Sequence, residues 1–150
     1  MIQLAGLGHV LLRVLDLERA KTFYSMLGFR VLEEDPEHGG TFMALEGQSH
    51  CIDLFQVKDL GTAENQTPGV RGLGHIAFRV ASEGDLVEAN ASLREHGVEI
   101  LRTIDHVSQK SIYFNDPDGN TLEIYYELPD ALEIFARGRE DRDVSITLER

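Results

Sequence analysis

Two histidines of this chain stand in the same local sequence. Gly6-Leu7-Gly8-His9-Val10-Leu11-Leu12-Arg13-Val14 returns as Gly72-Leu73-Gly74-His75-Ile76-Ala77-Phe78-Arg79-Val80, an offset of 66 with six of nine positions identical. A lone histidine in an apolar strand is most often a hydrogen-bonded core residue. Repetition of the histidine in one motif reverses those odds. Two carboxylates repeat as well, since Ile52-Asp53-Leu54-Phe55 lies over Leu122-Glu123-Ile124-Tyr125. Each is flanked by apolar residues, where an unpaired buried charge is costly. In an alternating strand Leu122 and Ile124 share one face and Glu123 takes the other, so one face is functional or exposed. His9, His75, Asp53 and Glu123 form a suitable ligand set for a divalent metal: iron(II), manganese, nickel or zinc. Asp53 has the shorter side chain. It ligates directly, reaches the metal through water, or hydrogen-bonds a ligand histidine.

The elements that must position these groups also repeat. The histidine segments are apolar and partly β-branched, as strands are, and are entered through glycines. Asp16 caps a helix whose Leu17, Ala20, Phe23, Tyr24 and Leu27 share a face, and Gly28 ends it. Ser82 opens the second helix, with Leu86, Ala89 and Leu93 at similar spacing and Gly97 at its end. Strands follow over Phe29 to Glu33 and Val98 to Arg102. Met43 to Phe55 then aligns without a gap with Tyr113 to Tyr125, an offset of 70. The carboxylate strands are preceded by the turns Glu46-Gly47-Gln48-Ser49 and Asp116-Pro117-Asp118-Gly119. Each module therefore reads strand, helix, strand, strand, strand. If two such modules pack about a pseudo-twofold axis, their equivalent residues face one another.

The expected organisation is one domain over 1–150: a first module at about 5–57, a linker at 58–71, a second module at about 72–127 and a tail at 128–150. In the tail, Asp130 to Arg137 predicts a short helix, and the charged run Arg137 to Asp143 reads as solvated. Val144 to Leu148 either adds an edge strand or meets a second subunit, so a homodimer is open. His38 and His96 read as surface residues. The net charge of −12 argues against nucleic acid and against an anionic membrane surface. No run approaches the roughly 18–20 apolar residues of a bilayer span. The N-terminal residues do not read as a secretory signal, and the single Cys51 fits a reducing compartment, so a cytoplasmic location is expected.

The paired Gly-x-His strands and Asp116-Pro117-Asp118-Gly119-Asn120-Thr121-Leu122-Glu123 resemble the vicinal oxygen chelate superfamily, over roughly residues 5 to 127. That superfamily includes glyoxalase I, extradiol dioxygenases, epimerases, and fosfomycin and bleomycin resistance proteins. The resemblance implies an α+β fold of two βαβββ modules, a cup-shaped mixed sheet around a metal, and a small-molecule substrate that chelates through vicinal oxygens. Ile104-Asp105-His106, five residues, Ile112-Tyr113, then Asp116-Pro117-Asp118-Gly119 and Glu123 is similar to the extradiol dioxygenase signature. By that similarity His9, His75 and Glu123 form an iron(II) facial triad. His106 and Tyr113 are then catalytic groups that hydrogen-bond a bound catecholate or oxygen.

The chain departs from that family in two respects. Extradiol enzymes of this type typically have four modules, against two here. They also place an acid–base histidine upstream of the second metal histidine, whereas no histidine occurs between Lys58 and Gly74, and His50 is the nearest earlier candidate. The competing implication is a glyoxalase-I-like lyase or an epimerase, with His9, Asp53, His75 and Glu123 all ligating a metal that stabilises an enediolate. A non-enzymatic binder is the third reading. Binders of the bleomycin-sequestering type lack the ligands present here.

Overall fold

The computed structural model describes residues 3, 7–48, 51–58, 73–138 and 142–149. The chain divides into two compact units, Met1–Ala63 and Glu64–Arg150. The expected linker, apart from Lys58, lies outside the described residues, as does His50.

The first unit contains β1 (Val10–Val14), α1 (Leu17–Met26), β2 (Arg30–Asp35), β3 (Gly40–Ala44) and β4 (Ile52–Gln56), and its sheet order is β1-β4-β3-β2. Strands β1 and β4 are parallel, whereas the β3–β4 and β2–β3 pairs are antiparallel. Helix α1 starts where the Asp16 side chain accepts a hydrogen bond from the Arg19 backbone N–H, and it ends before Gly28 at φ +96°. A left-handed backbone suits glycine there because no Cβ opposes it. Ala20 and Tyr24 of α1 join Leu12, Val14, Met43, Ile52 and Leu54 in the core.

The second unit repeats the pattern with β5 (Ile76–Val80), α2 (Glu83–Glu95), β6 (Ile100–Asp105), β7 (Gln109–Asn115) and β8 (Thr121–Glu127). Ser82 Oγ accepts from the Asp85 N–H and caps α2, which begins just after Ser82 as expected. Leu86 and Leu93 of that helix pack with Ile112, Phe114, Leu122 and Ile124. The fold is α+β: two mixed sheets, each carrying the βαβββ order.

Pairing registers refine the sequence alignment. Helix α2 spans 13 residues and α1 spans 10, so the offset grows from 66 to 69. Both β2 and β6 carry a bulge, between Val31 and Glu33 and between Ile100 and Arg102. Across the next hairpins Phe42 pairs with Asp53 and Tyr113 pairs with Glu123. The counterpart of Tyr113 is therefore Phe42, not the Met43 that a gap-free offset of 70 selects. The physical reason is the turn. Asp116 is buried, and its carboxylate accepts from the Asp118 and Asn120 backbone N–H groups at 2.9 and 2.8 Å and from Asn120 Nδ2 at 2.8 Å. That network closes β7 onto β8 one residue sooner than the first unit closes β3 onto β4.

The tail belongs to the second unit. Helix α3 (Ala131–Arg137) forms as expected, and β9 (Val144–Ser145) pairs antiparallel with β6. Thr103 Oγ1 donates to the Ile146 carbonyl, the Ile146 N–H returns a bond to the Thr103 carbonyl, and Asn90 Nδ2 donates to the Leu148 carbonyl. Of the two readings of Val144 to Leu148, the edge strand is the one seen. Among the described residues no helix is long and apolar enough to cross a membrane.

Candidate metal centre

In each unit the parallel strand pair brings a histidine to a carboxylate. Strand β1 sets Leu11 opposite Asp53, and His9, two residues earlier, takes the same side of the strand. His9 Nε2 stands 3.6 Å from Asp53 Oδ2. Strand β5 sets Ala77 opposite Glu123 in the same manner, and His75 Nε2 is 2.9 Å from Glu123 Oε2. Both carboxylates are nearly sealed from solvent, Asp53 at 3% exposure and Glu123 at 2%. Their histidines are the reverse, with side chains 49% and 42% exposed. Buried anion behind, accessible imidazole in front: each pair offers donors to something arriving from solvent.

Glu123 has a second partner that sequence reasoning missed. Gln109 Nε2 donates to Glu123 Oε1 at 2.9 Å and to Ser111 Oγ at 3.2 Å. Alternation along β7 was the available signal, since Gln109, Ser111 and Tyr113 share a face and all carry polar atoms. With Gln109 on one carboxylate oxygen and His75 on the other, the Glu123 carboxylate is held in place.

Tyr113, directly across from Glu123, is enclosed on several sides. The Arg102 guanidinium lies 4.2 Å over its ring, and the His75 and His106 rings meet it edge-on at 5.7 and 6.0 Å. Its hydroxyl is 3.0 Å from His106 Nε2. Burial pushes the Tyr113 hydroxyl up to about 12, and the charge and hydrogen bonding of Glu123 add to the rise against the opposing Arg102 and Ser111.

His106 leads the turn from β6 into β7. Its backbone N–H donates to the Gln109 carbonyl, and the Ser108 N–H donates to the His106 carbonyl, both at 2.8 Å. Between them Val107 adopts φ +70°, which is strained for a β-branched residue. Far from an exposed loop position, the His106 side chain is only 14% exposed. Its Nδ1 is 2.7 Å from Asp143 Oδ1. Asp143 was expected only as part of a solvated charged run, and no local pattern marks it. His38 pairs with Asp35, and His96 bonds the Ser92 carbonyl, both as surface residues.

Among the described residues, no three His, Cys, Asp or Glu side chains are gathered into a metal-holding group. Each unit supplies one imidazole and one carboxylate. In each unit the imidazole turns Nε2 toward a buried carboxylate, a donor pair of the kind that suits a divalent cation.

The model of the glyoxalase/bleomycin resistance protein/dioxygenase superfamily matches residues 6–124. The chain belongs to that superfamily. It is 31% identical over 138 residues to biphenyl-2,3-diol 1,2-dioxygenase 3 of Rhodococcus globerulus, covering 91% of this chain and 68% of the relative. It is 32% identical over 144 residues to lactoylglutathione lyase of Pseudomonas aeruginosa, covering 77% of this chain and 79% of that one. The fold matches a crystal structure of mutant FosX, the fosfomycin resistance protein of Listeria monocytogenes, complexed with Mn(II) and 1S,2S-dihydroxypropylphosphonic acid. That likeness has TM-score 0.68 and 20% identity, over 91% of this chain and all of the other. Superfamily membership and the names of these relatives indicate an enzyme acting on a small molecule. They differ in the reaction.

Proposed function

We propose that this protein is a metal-dependent extradiol-type dioxygenase, in which His9, His75 and Glu123 ligate iron(II) and a catecholic substrate binds through its two vicinal oxygens. One observation carries the reading: in the second unit His75, Glu123, Tyr113 and His106 form an unbroken chain of contacts. Glu123, Tyr113 and His106 are residues of the segment similar to the extradiol signature, and the named dioxygenase relative supports the reading. Dioxygen would add across a ring carbon–carbon bond beside the diol, with both oxygen atoms entering the ring-opened product. When bound, the metal supplies Lewis acidity toward the diol and a route for electrons from ring to oxygen.

The other steps fall to the chain's own side chains. Gln109 holds the Glu123 carboxylate. Tyr113, raised to about 12, keeps its hydroxyl proton at neutral pH and acts as a donor. His106 takes up or returns a proton at Nε2, beside that hydroxyl. In this assignment His106 does the proton transfers for which the region between Lys58 and Gly74 offers no histidine. Asp53 is a fourth ligand or positions His9. Manganese, nickel or zinc are the alternatives to iron.

The test is anaerobic loading with iron(II), followed by a panel of catechols and air. A yellow ring-cleavage product is expected, and its absence across the panel would overturn the dioxygenase reading. Asp53 favours a second reading. Its match to Glu123 offers four protein ligands, the set for a lyase or epimerase that stabilises an enediolate. Nickel- or zinc-loaded protein given methylglyoxal and a thiol tests it, and thioester formation would decide for it.

A further inference from the structure

We infer that Asp143, carried in by the C-terminal strand β9, is a positioning residue that sets the tautomer of His106 and so directs the His106 Nε2 lone pair at Tyr113. The inference rests on the proposed function for its catalytic consequence, but its structural claim stands alone. Asp143 lies beyond residues 6–124, the segment matched by the superfamily model. Three contacts bring it to His106. Val144 pairs with Asp105, Ser145 pairs with Ile104, and the Ile146 N–H bonds the Thr103 carbonyl. Together they register β9 against the strand that ends beside His106.

A carboxylate accepts hydrogen bonds and cannot donate them. At 2.7 Å from Asp143 Oδ1, His106 Nδ1 must therefore carry the ring proton. In the neutral ring that leaves Nε2 unprotonated, with its lone pair 3.0 Å from the Tyr113 hydroxyl oxygen. Without Asp143 the neutral ring can place its proton on Nε2 instead, and Nε2 would then donate to the Tyr113 hydroxyl oxygen rather than present a lone pair to it. Orientation is fixed as well. One imidazole nitrogen is held by the tail and the other faces the catalytic tyrosine, so the ring has little freedom to rotate.

Two readouts test this. The first is long-range proton–nitrogen NMR of metal-free, nitrogen-15 histidine-labelled protein above neutral pH, with the His106 signals identified by their loss in His106→Gln. Protonated Nδ1 and unprotonated Nε2 are expected in the natural protein. Asp143→Ala should move His106 toward the Nε2–H form, and Asp143→Glu, which restores a carboxylate, should recover the original pattern. The second readout is turnover of a catechol by iron-loaded protein. Asp143→Ala should lower kcat about tenfold with KM within about twofold, and Asp143→Glu should restore kcat. Should Asp143→Ala also release β9, seen as a shift of the Ile146 amide, the glutamate variant decides.

An unchanged His106 tautomer in Asp143→Ala overturns the inference. So does a changed tautomer with undiminished kcat, which would leave the dioxygenase reading intact. If the natural protein cleaves no catechol, the proposed function fails, and the NMR result alone decides the role of Asp143.

Discussion

At the scale of single residues, Glu123 and Tyr113 face each other across β7 and β8. Glu123 is buried, with Gln109 Nε2 donating to one carboxylate oxygen and His75 Nε2 2.9 Å from the other. Tyr113 is biased toward its neutral form. The sign of its pH dependence follows from that. Its hydroxyl has an ordinary value of 10.0 and rises to about 12 in the fold, so the associated stability is present below pH 10 and is lost as pH climbs from 10 toward 12. In metal-free protein, unfolding midpoints at pH 9 and pH 11 should fall less for Tyr113→Phe than for the natural chain. An equal fall would mean that Tyr113 is not the group responsible. For Gln109→Ala, weaker metal retention is expected, about tenfold in a competition with a chelator, because one oxygen of Glu123 loses its donor.

At the scale of elements, each helix serves mainly to return the chain so that a histidine strand and a carboxylate strand lie parallel. A parallel pair needs such a crossover. Ser82→Ala removes the acceptor for the Asp85 N–H and should cost about 1 kcal/mol in a denaturant titration, while leaving metal content unchanged. The β7–β8 turn matters more directly. Its Asp116 network sets the register that places Tyr113, rather than a neighbour, across from Glu123. Asp116→Ala should lower both stability and turnover. Comparable thermal midpoints with full activity would show that the register survives without it.

At the scale of the whole molecule, the proposed ligands come from both units, His9 from the first and His75 and Glu123 from the second, so a cation bound as proposed would stabilise both. A cation at about 100 times its Kd should raise unfolding free energy by about 2.7 kcal/mol. His9→Ala and His75→Ala should each remove most of that gain and most of the bound metal, read by calorimetry and elemental analysis. Retention of metal by either variant would remove that histidine from the ligand set. Because the two variants alter different units, similar losses from both would point to one common cation.

Periodicity and duplication made the βαβββ order, the caps at Asp16 and Ser82, the glycine helix ends and the two histidine–carboxylate pairs readable in the sequence alone. These features are local or repeat at fixed offsets, and local chemistry determines them. The repeat also marked His106 and Tyr113 less strongly than His9 and His75, because their positions have no counterpart histidine or tyrosine in the first unit. Tertiary structure decided the rest. It paired Phe42 rather than Met43 with Asp53, since hairpin register depends on how many residues each turn consumes. It placed Gln109 on Glu123 through side-chain direction on β7. It brought Asp143 to His106 across 37 residues of sequence, through strand pairing whose backbone hydrogen bonds leave no residue-specific trace in the sequence.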